Sequence, residues 1–317
     1  MSFTSPLHLK NPHLQTMMPL ILAKTKQTYL REEFSLEDGD FTEIIWNDNP
    51  YTKNYNHVCV LFHGLGGSID SHYIQRMMRT LSQLGYLCVM MHFRGCGNKT
   101  NKKQRSYHAG ETEDARYFIK HLVQRFPKTS LHAIGYSLGG NMLLKLLASY
   151  GSNSPLSSAA AISTPLELET CTRHLSKGFA RIYQVYLLRS LKKGLLLKHE
   201  SLDLESTLGL NVKRIKAIKS IYEFDDRYTA PAHGFKNAKE YYTKNSAKQF
   251  LKKIQTPTLM IHSLDDPFMP SSVLPKKSEL SKYLSLEVSK HGGHVGFIQG
   301  NIFKPTFWLE KRVASFL

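Results

Sequence analysis

Apolar residues recur along the chain in short unbroken runs, each followed by a polar or glycine-rich stretch and then by a helical pattern. Val58-Cys59-Val60-Leu61-Phe62, Tyr86 to Met91, Leu131 to Ile134, Ala159 to Ser163 and Thr258 to His262 are such runs. None alternates with polar residues, which is expected of parallel strands covered on both faces. Between them Tyr73, Met77, Leu81 and Leu84 recur at helical spacing, and Gly85 closes that helix; all four are predicted core residues. Ala115, Phe118, Ile119, Leu122, Val123 and Phe126 mark a second amphipathic helix, with Glu111, Glu113 and Asp114 placed to suit its N-terminal dipole. Asn141 to Ala148 is a good helix former. Ahead of this region, Leu30 to Leu36 and Phe41 to Trp46 flank the turn Glu37-Asp38-Gly39-Asp40, a β-hairpin. Leu284 to Val288 alternates as a final strand. Strands separated by helices predict an α/β fold with an open, mainly parallel sheet flanked by helices.

From Pro165 to about Phe250 the alternation of strand and helix stops, and helical runs such as Phe179 to Leu191 and Ala238 to Ser246 take its place. The expectation is one domain over residues 1–317 with a helical cap inserted at about 165–250. Within the insertion, Tyr186 to Lys198 is both apolar and basic. Two readings stay open: a cap helix packed on the core with its lysines in water, or peripheral contact with membrane or acyl chains.

Composition changes this picture at one point. The 317 residues carry 42 Lys and Arg against 25 Asp and Glu, a formal charge of +17. The basic residues are spread along the chain without a long basic block or a recognisable nucleic-acid module, so no nucleic-acid partner is expected. Apolar runs reach nowhere near the ~18 residues of a membrane span. The start, Met1-Ser2-Phe3-Thr4-Ser5-Pro6, has no basic region followed by an apolar block, so no secretory signal is expected. Cys59, Cys88, Cys96 and Cys171 lack disulfide or metal spacing and read as reduced thiols. A soluble, cytoplasmic protein is the expectation, and its oligomeric state stays open.

Candidate chemistry centres on Gly135-Tyr136-Ser137-Leu138-Gly139, a Ser in the frame G-x-S-x-G between an apolar strand and a helix. That is the nucleophile elbow, in which a sharp turn leaves the Ser137 hydroxyl clear of the backbone and side chains two residues away would collide. His63-Gly64-Leu65-Gly66-Gly67 follows a strand directly. It lacks the G-x-G-x-x-G and Walker patterns, and so no nucleotide cofactor is expected. It suits an oxyanion loop, with the N–H groups of Leu65 and Leu138 as donors and His63 holding the loop. Asp265-Asp266 follows one late strand, and His291 and His294 follow the next, which completes the order Ser…Asp…His. The same residues read as a metal site would leave the elbow unexplained, and no HExxH frame exists, so no metal is expected. Cys96 lies between glycines but has no base nearby in sequence.

These segments in this order resemble the YheT-like family of α/β-hydrolases, the AB hydrolase 4 family of serine esterases. The resemblance rests on Asn11-Pro12-His13-Leu14-Gln15-Thr16, His63 to Gly67, His92-Phe93-Arg94-Gly95-Cys96 and Gly135 to Asn141. Glu223-Phe224-Asp225-Asp226, Asp265 to Phe268 and His291 to Phe297 extend it over almost the whole chain. It implies an α/β-hydrolase fold and the triad Ser137, Asp266 and His294. Asp266 is preferred to Asp265 because the family's acid precedes an x-apolar-apolar-Pro run, as Pro267 to Pro270 does. It also implies serine carboxylesterase activity on acyl esters, short- to medium-chain or lipid-derived, without cofactor. Relatives in animals and yeast act on lipid acyl esters or form fatty-acid esters, so alcohol O-acyl transfer by the same triad is the alternative. A non-catalytic lipid- or nucleic-acid-binding protein is a more distant one.

Overall fold

The computed structural model describes residues 3–22, 27–301 and 304–317. The hairpin is β1 (Leu30–Ser35) and β2 (Phe41–Trp46), antiparallel with Leu30 opposite Trp46 and Ser35 opposite Phe41. The apolar runs form β3 (His57–Phe62), β4 (Leu87–Met91), β5 (Ser130–Tyr136), β6 (Ser158–Ile162) and β7 (Thr258–Ser263). With β8 (Leu284–Ser289) they make an eight-stranded sheet ordered β1-β2-β4-β3-β5-β6-β7-β8. Every pairing from β4 to β8 is parallel, and only the hairpin end is antiparallel. Beyond β8 lies a small antiparallel pair, β9 (Ile298–Gly300) and β10 (Pro305–Phe307), so Leu284 to Val288 belongs to the last strand of the large sheet and not of the chain.

Alternation along the central strand divides the core in two. Val58, Val60 and Phe62 of β3 pack with α3 (Glu113–Arg125) and α4 (Leu138–Tyr150), through Phe118, Leu122, Leu143 and Leu147. Cys59 and Leu61 face the other way, onto Ile74, Met77 and Leu81 of α2 (His72–Gln83) and Leu309 and Val313 of α12 (Trp308–Ala314). Both faces of the strand are dry, which is why its sequence shows no polar period. Two of the predicted core residues on α2 do other work. Leu84 is 58% exposed where the helix ends, and the Tyr73 hydroxyl accepts a hydrogen bond from the Gly64 N–H. Gly85, at φ +84°, supplies the left-handed turn after that helix.

Residues between β6 and β7 are helical. They comprise α5 (Leu168–Leu175), α6 (Arg181–Ser201), α7 (Leu204–Leu208), α8 (Val212–Ala217), α9 (Ile221–Phe224), α10 (Ala230–Ala232) and α11 (Ala238–Asn245), with a π-helical turn at Asp225–Thr229. α6 runs ten residues past the Leu191 read from the sequence; Gly194, where the pattern invites a break, sits inside it. Leu188, Leu195, Leu204, Ile215 and Phe224 give this segment an apolar cluster of its own. Asn141, buried in the first turn of α4, ties it down: its amide donates to Ala109 O and Asn245 O and its carbonyl accepts from the Ala247 N–H. No described helix is long and apolar enough to cross a membrane.

The loop after β4 is fixed by charge. Arg94 is buried, donates two hydrogen bonds to Asp114 at 2.6 Å each, and reaches Asp38 at 2.9 Å and Asp40 at 3.1 Å. The carboxylate of Asp114 thus holds an arginine, and Glu111 caps the helix start by accepting from the Glu113 and Asp114 N–H groups. Removing one partner of such a cluster strands the others in a dry site. Arg94→Ala is expected to lower unfolding free energy by about 3 kcal/mol in chemical denaturation; a loss within experimental error would contradict this account of the loop.

Candidate active site

Ser137 stands where β5 turns into α4, with φ +50° and ψ −120°, a backbone region that side chains other than glycine rarely occupy. Its N–H is held by Ile162 O at 2.8 Å. The turn is possible because of two glycines. A Cβ on Gly135 would lie 2.5 Å from Gly139 O, and one on Gly139 would lie 2.5 Å from His63 O and 2.6 Å from Phe62 O. The second collision is with the loop after β3 rather than with the elbow itself, so Gly139 is what lets the two loops meet.

That loop presents backbone amides. The Gly64 N–H donates to the Tyr73 hydroxyl, the Gly66 N–H to the Tyr107 hydroxyl at 2.9 Å, and the Gly67 N–H to Gly64 O. The amide between them, that of Leu65, has no acceptor among the described residues. Leu138 opens α4, where helix geometry leaves the N–H without an intrahelical partner. His63 is fully buried, accepts from the Phe93 N–H through Nε2 and sits 2.7 Å from Gly64 O through Nδ1. Burial depresses its pKa to about 3, and the imidazole is neutral and structural.

The late residues form two separate histidine–aspartate pairs. His294 Nδ1 lies 2.8 Å from Asp266 Oδ2, and His291 Nδ1 lies 3.3 Å from Asp265 Oδ2, whose other oxygen accepts from the Gly293 N–H. With Asp266 ionised, the first contact is satisfied when His294 carries its proton on Nδ1, which leaves Nε2 as an acceptor. Phe268 stacks on the His294 ring at 3.9 Å and 3°. Among the described residues no cluster of three or more His, Cys, Asp or Glu is placed to hold a metal. Ser137, Leu138, Leu65 and His294 all line one cavity of about 860 Å³. The structure shows no hydrogen bond between Ser137 and His294; such contacts are commonly long before substrate arrives.

Residues outside the predicted set hold the His294 loop. The His294 N–H donates to Thr16 Oγ1 and the Val295 N–H to Ser163 Oγ, while Gln15 both donates to Ile298 O and accepts from the Ile298 N–H. Thr16 and Gln15 sit on α1 (Pro12–Leu22), which makes sense of Asn11-Pro12-His13-Leu14-Gln15-Thr16. Its buried polar side chains amid apolar neighbours were the available signal. Val295 and Ser163 both carry positive φ, at +59° and +48°, an uncommon strain that clusters around this loop.

The pattern of the alpha/beta hydrolase fold matches residues 58–301. Over 97% of this chain and 90% of the relative, the sequence is 43% identical to YheT of Escherichia coli K12, which is named as a candidate esterase. The chain belongs to the YheT-like branch of the α/β-hydrolase family. It is also 30% identical to phospholipase ABHD3 of Bos taurus, over 96% of this chain and 75% of that one. Among solved structures, the esterase Pf2001 of Pyrococcus furiosus superposes with a TM-score of 0.60 at 18% identity, covering 92% of this chain and 90% of that one, a likeness of fold. The protein is thus a hydrolase.

Elsewhere in this hydrolase a serine and a histidine do touch, His132 Nδ1 to Ser158 Oγ at 2.8 Å. Both residues are buried where β5 pairs with β6, no carboxylate orients the ring, and His57 faces its other nitrogen. Burial and then the His57 charge push His132 down to about 4, so this is a neutral core contact. Cys96 lines the cavity, but burial lifts its thiol to about 12, which removes the thiolate needed for attack. The lysines of α6 do not all sit in water. Lys198 Nζ is buried against the carbonyls of Lys103, Gln104 and Arg105, with its pKa drawn down to about 7 by desolvation, and Lys192 Nζ binds the carbonyls of Lys216 and Ile218.

Asp225 of the Glu223-Phe224-Asp225-Asp226 segment lines the cavity wall and accepts hydrogen bonds from Thr229 and Tyr242. Burial raises its carboxyl to about 6. Folding therefore favours the protonated acid. That contribution is complete below the unfolded value near 3.8 and is lost as pH rises through about 6. Relative to wild type, Asp225→Asn is expected to gain on the order of 2 kcal/mol of stability on going from pH ~4 to pH ~7, read as the shift in denaturation midpoints. A difference that is flat with pH would contradict this.

Proposed function

We propose that this hydrolase is a serine carboxylesterase in which Ser137 is the nucleophile, His294 the base and Asp266 the residue that orients it. The observation that carries this reading is convergence on one cavity. It brings together a serine in a strained elbow, a histidine paired through Nδ1 to a buried carboxylate, and two amides, of Leu65 and Leu138, without partners. Ser137 Oγ attacks the ester carbonyl carbon while His294 Nε2 takes the hydroxyl proton. The oxyanion accepts from the Leu65 and Leu138 N–H groups, and each such donor is worth about 10²–10³ in rate in comparable enzymes. Collapse expels the alcohol, which leaves with the proton held by His294. Water then attacks the acyl-enzyme with the same base, releasing the acid and restoring Ser137.

The walls of the cavity support a substrate class. The helical segment at about 165–250 acts as a cap, supplying Leu168, Leu175, Leu187, Leu191 and Ile221 to the cavity. Apolar walls of this kind favour the burial of an acyl chain by ~0.8 kcal/mol for each methylene. An acyl ester with a medium-length or lipid-derived chain is the substrate that fits, in keeping with the esterase and phospholipase names of the relatives.

Turnover of p-nitrophenyl butyrate tests the assignment. Ser137→Ala is expected to lose at least ~10³-fold and Asp266→Asn about 10⁴-fold, while Asp265→Asn stays within a few-fold of wild type. Wild-type turnover in Ser137→Ala, or an inactive Asp265→Asn beside an active Asp266→Asn, would overturn it.

A further inference from the structure

The surface around the cavity mouth exposes apolar side chains from two helices, one of them with the usual polarity of a surface helix reversed. α1 buries Gln15 and Thr16 and exposes Leu14, Met17, Leu20 and Ile21, the last 75% accessible. No residue of this helix is charged. α6 buries Tyr183, Leu188 and Leu195 but also shows water Ile182, Val185, Tyr186 and Leu197, Tyr186 at 70%. The two helices meet: His13 Nδ1 lies 2.9 Å from the Tyr183 hydroxyl and the His13 ring 4.1 Å from that of Phe179. Met17, Leu20, Ile182 and Tyr186 are both exposed and part of the cavity lining, so the apolar surface is the rim of the entrance. An apolar area of this kind around an entrance marks a place that meets another apolar phase.

Charge says which phase. Residues 170–199, which include most of α6, contain seven Lys and Arg and no Asp or Glu. The chain as a whole has a formal charge of +17, and α6, which forms one side of the rim, contributes Arg181, Arg189, Lys192, Lys193 and Lys198 against Glu200 alone. Arg181, Arg189 and Lys193 lie exposed on the same side of α6 as Ile182 and Tyr186 and have no ion-pair partner among the described residues. Asp70 is the one exposed carboxylate of the cavity lining. Apolar side chains flanked by unpaired cations match the acyl–headgroup boundary of an anionic bilayer. There the apolar residues enter the acyl region and the cations meet headgroup phosphates.

We propose that the α1–α6 rim docks this protein on anionic lipid bilayers and sets the cavity mouth against the lipid. This surface is separate from the catalytic assignment, and the lipid experiment needs no turnover. The probe is co-sedimentation of the full chain, as Ser137→Ala, with vesicles of phosphatidylcholine alone and of phosphatidylcholine mixed with phosphatidylglycerol. Strong partitioning onto the mixed vesicles, weak partitioning onto phosphatidylcholine and release by salt are expected. Ile21→Glu with Val185→Glu, and separately Arg181→Glu with Arg189→Glu, are each expected to cut that partitioning by about tenfold or more. None of these four residues lines the cavity, so in the Ser137-intact background both double variants are expected to hydrolyse p-nitrophenyl butyrate like wild type. Absence of partitioning, or equal partitioning of wild type and variants, would overturn the proposal. So would a dimer in analytical ultracentrifugation that Ile21→Glu dissociates, which would assign the rim to a second copy of the chain. Loss of ester turnover with lipid binding intact would instead overturn the catalytic assignment alone.

Discussion

The backbone of Ser137 is held at φ +50° and ψ −120°, and the arrangement of the whole site follows from what is needed to keep it there. A conformation of this kind costs of the order of 1–3 kcal/mol and persists only when its surroundings over-determine it. Here the Ser137 N–H is pinned to the end of β6, Gly135 and Gly139 give the chain room to turn, and fully buried Ile134 and Met142 anchor either side in the two apolar layers. The same close approach that forbids a side chain on Gly139 brings the His63–Gly67 loop against the serine. A Cβ on Gly64 would stand 3.2 Å from Ser137 Cβ. The positions of Ser137 and of the Leu65 and Leu138 amides are thus consequences of one packing event between β3 and β5.

Asp266 and His294 come from the other side of the sheet order, after β7 and β8, and need a separate fixture. It is supplied largely by the N-terminal helix. Thr16 and Gln15 grip the backbone on both sides of Val295, and a side chain on Gly293 would lie 2.6 Å from Pro12 O. A helix whose inward face is given over to polar clamps has only its outward face left for apolar residues. That accounts for the inverted polarity of α1, and it places apolar surface beside the entrance to the site. The positioning of His294 and the character of the cavity rim are therefore two results of one short helix.

Much of this was legible in the residues. The five continuous apolar runs announced a parallel sheet because both of its faces are dry, and Gly135-Tyr136-Ser137-Leu138-Gly139 announced the turn because no other residues fit its contacts. The sequence order of Ser137, the Asp265-Asp266 pair and the His291–His294 pair was readable too, although the residues alone left the choice within each pair open. What resisted reading were tertiary matters. Leu84 looked like core by spacing but lies where the helix ends. Lys198 looked solvated by composition, but three backbone carbonyls draw it inward. The clamp from Thr16 to His294 spans 278 residues, and no local pattern encodes a contact of that range.

On the assignment proposed for the site, strain and a paired imidazole make Ser137 the activated hydroxyl. Labelling the native protein with a fluorophosphonate and locating the adduct by peptide mass mapping tests this most directly. A single adduct on Ser137, absent from a folded His294→Ala variant, is the outcome the proposed mechanism predicts. An adduct on another serine such as Ser158, or labelling that survives the loss of His294, would contradict it.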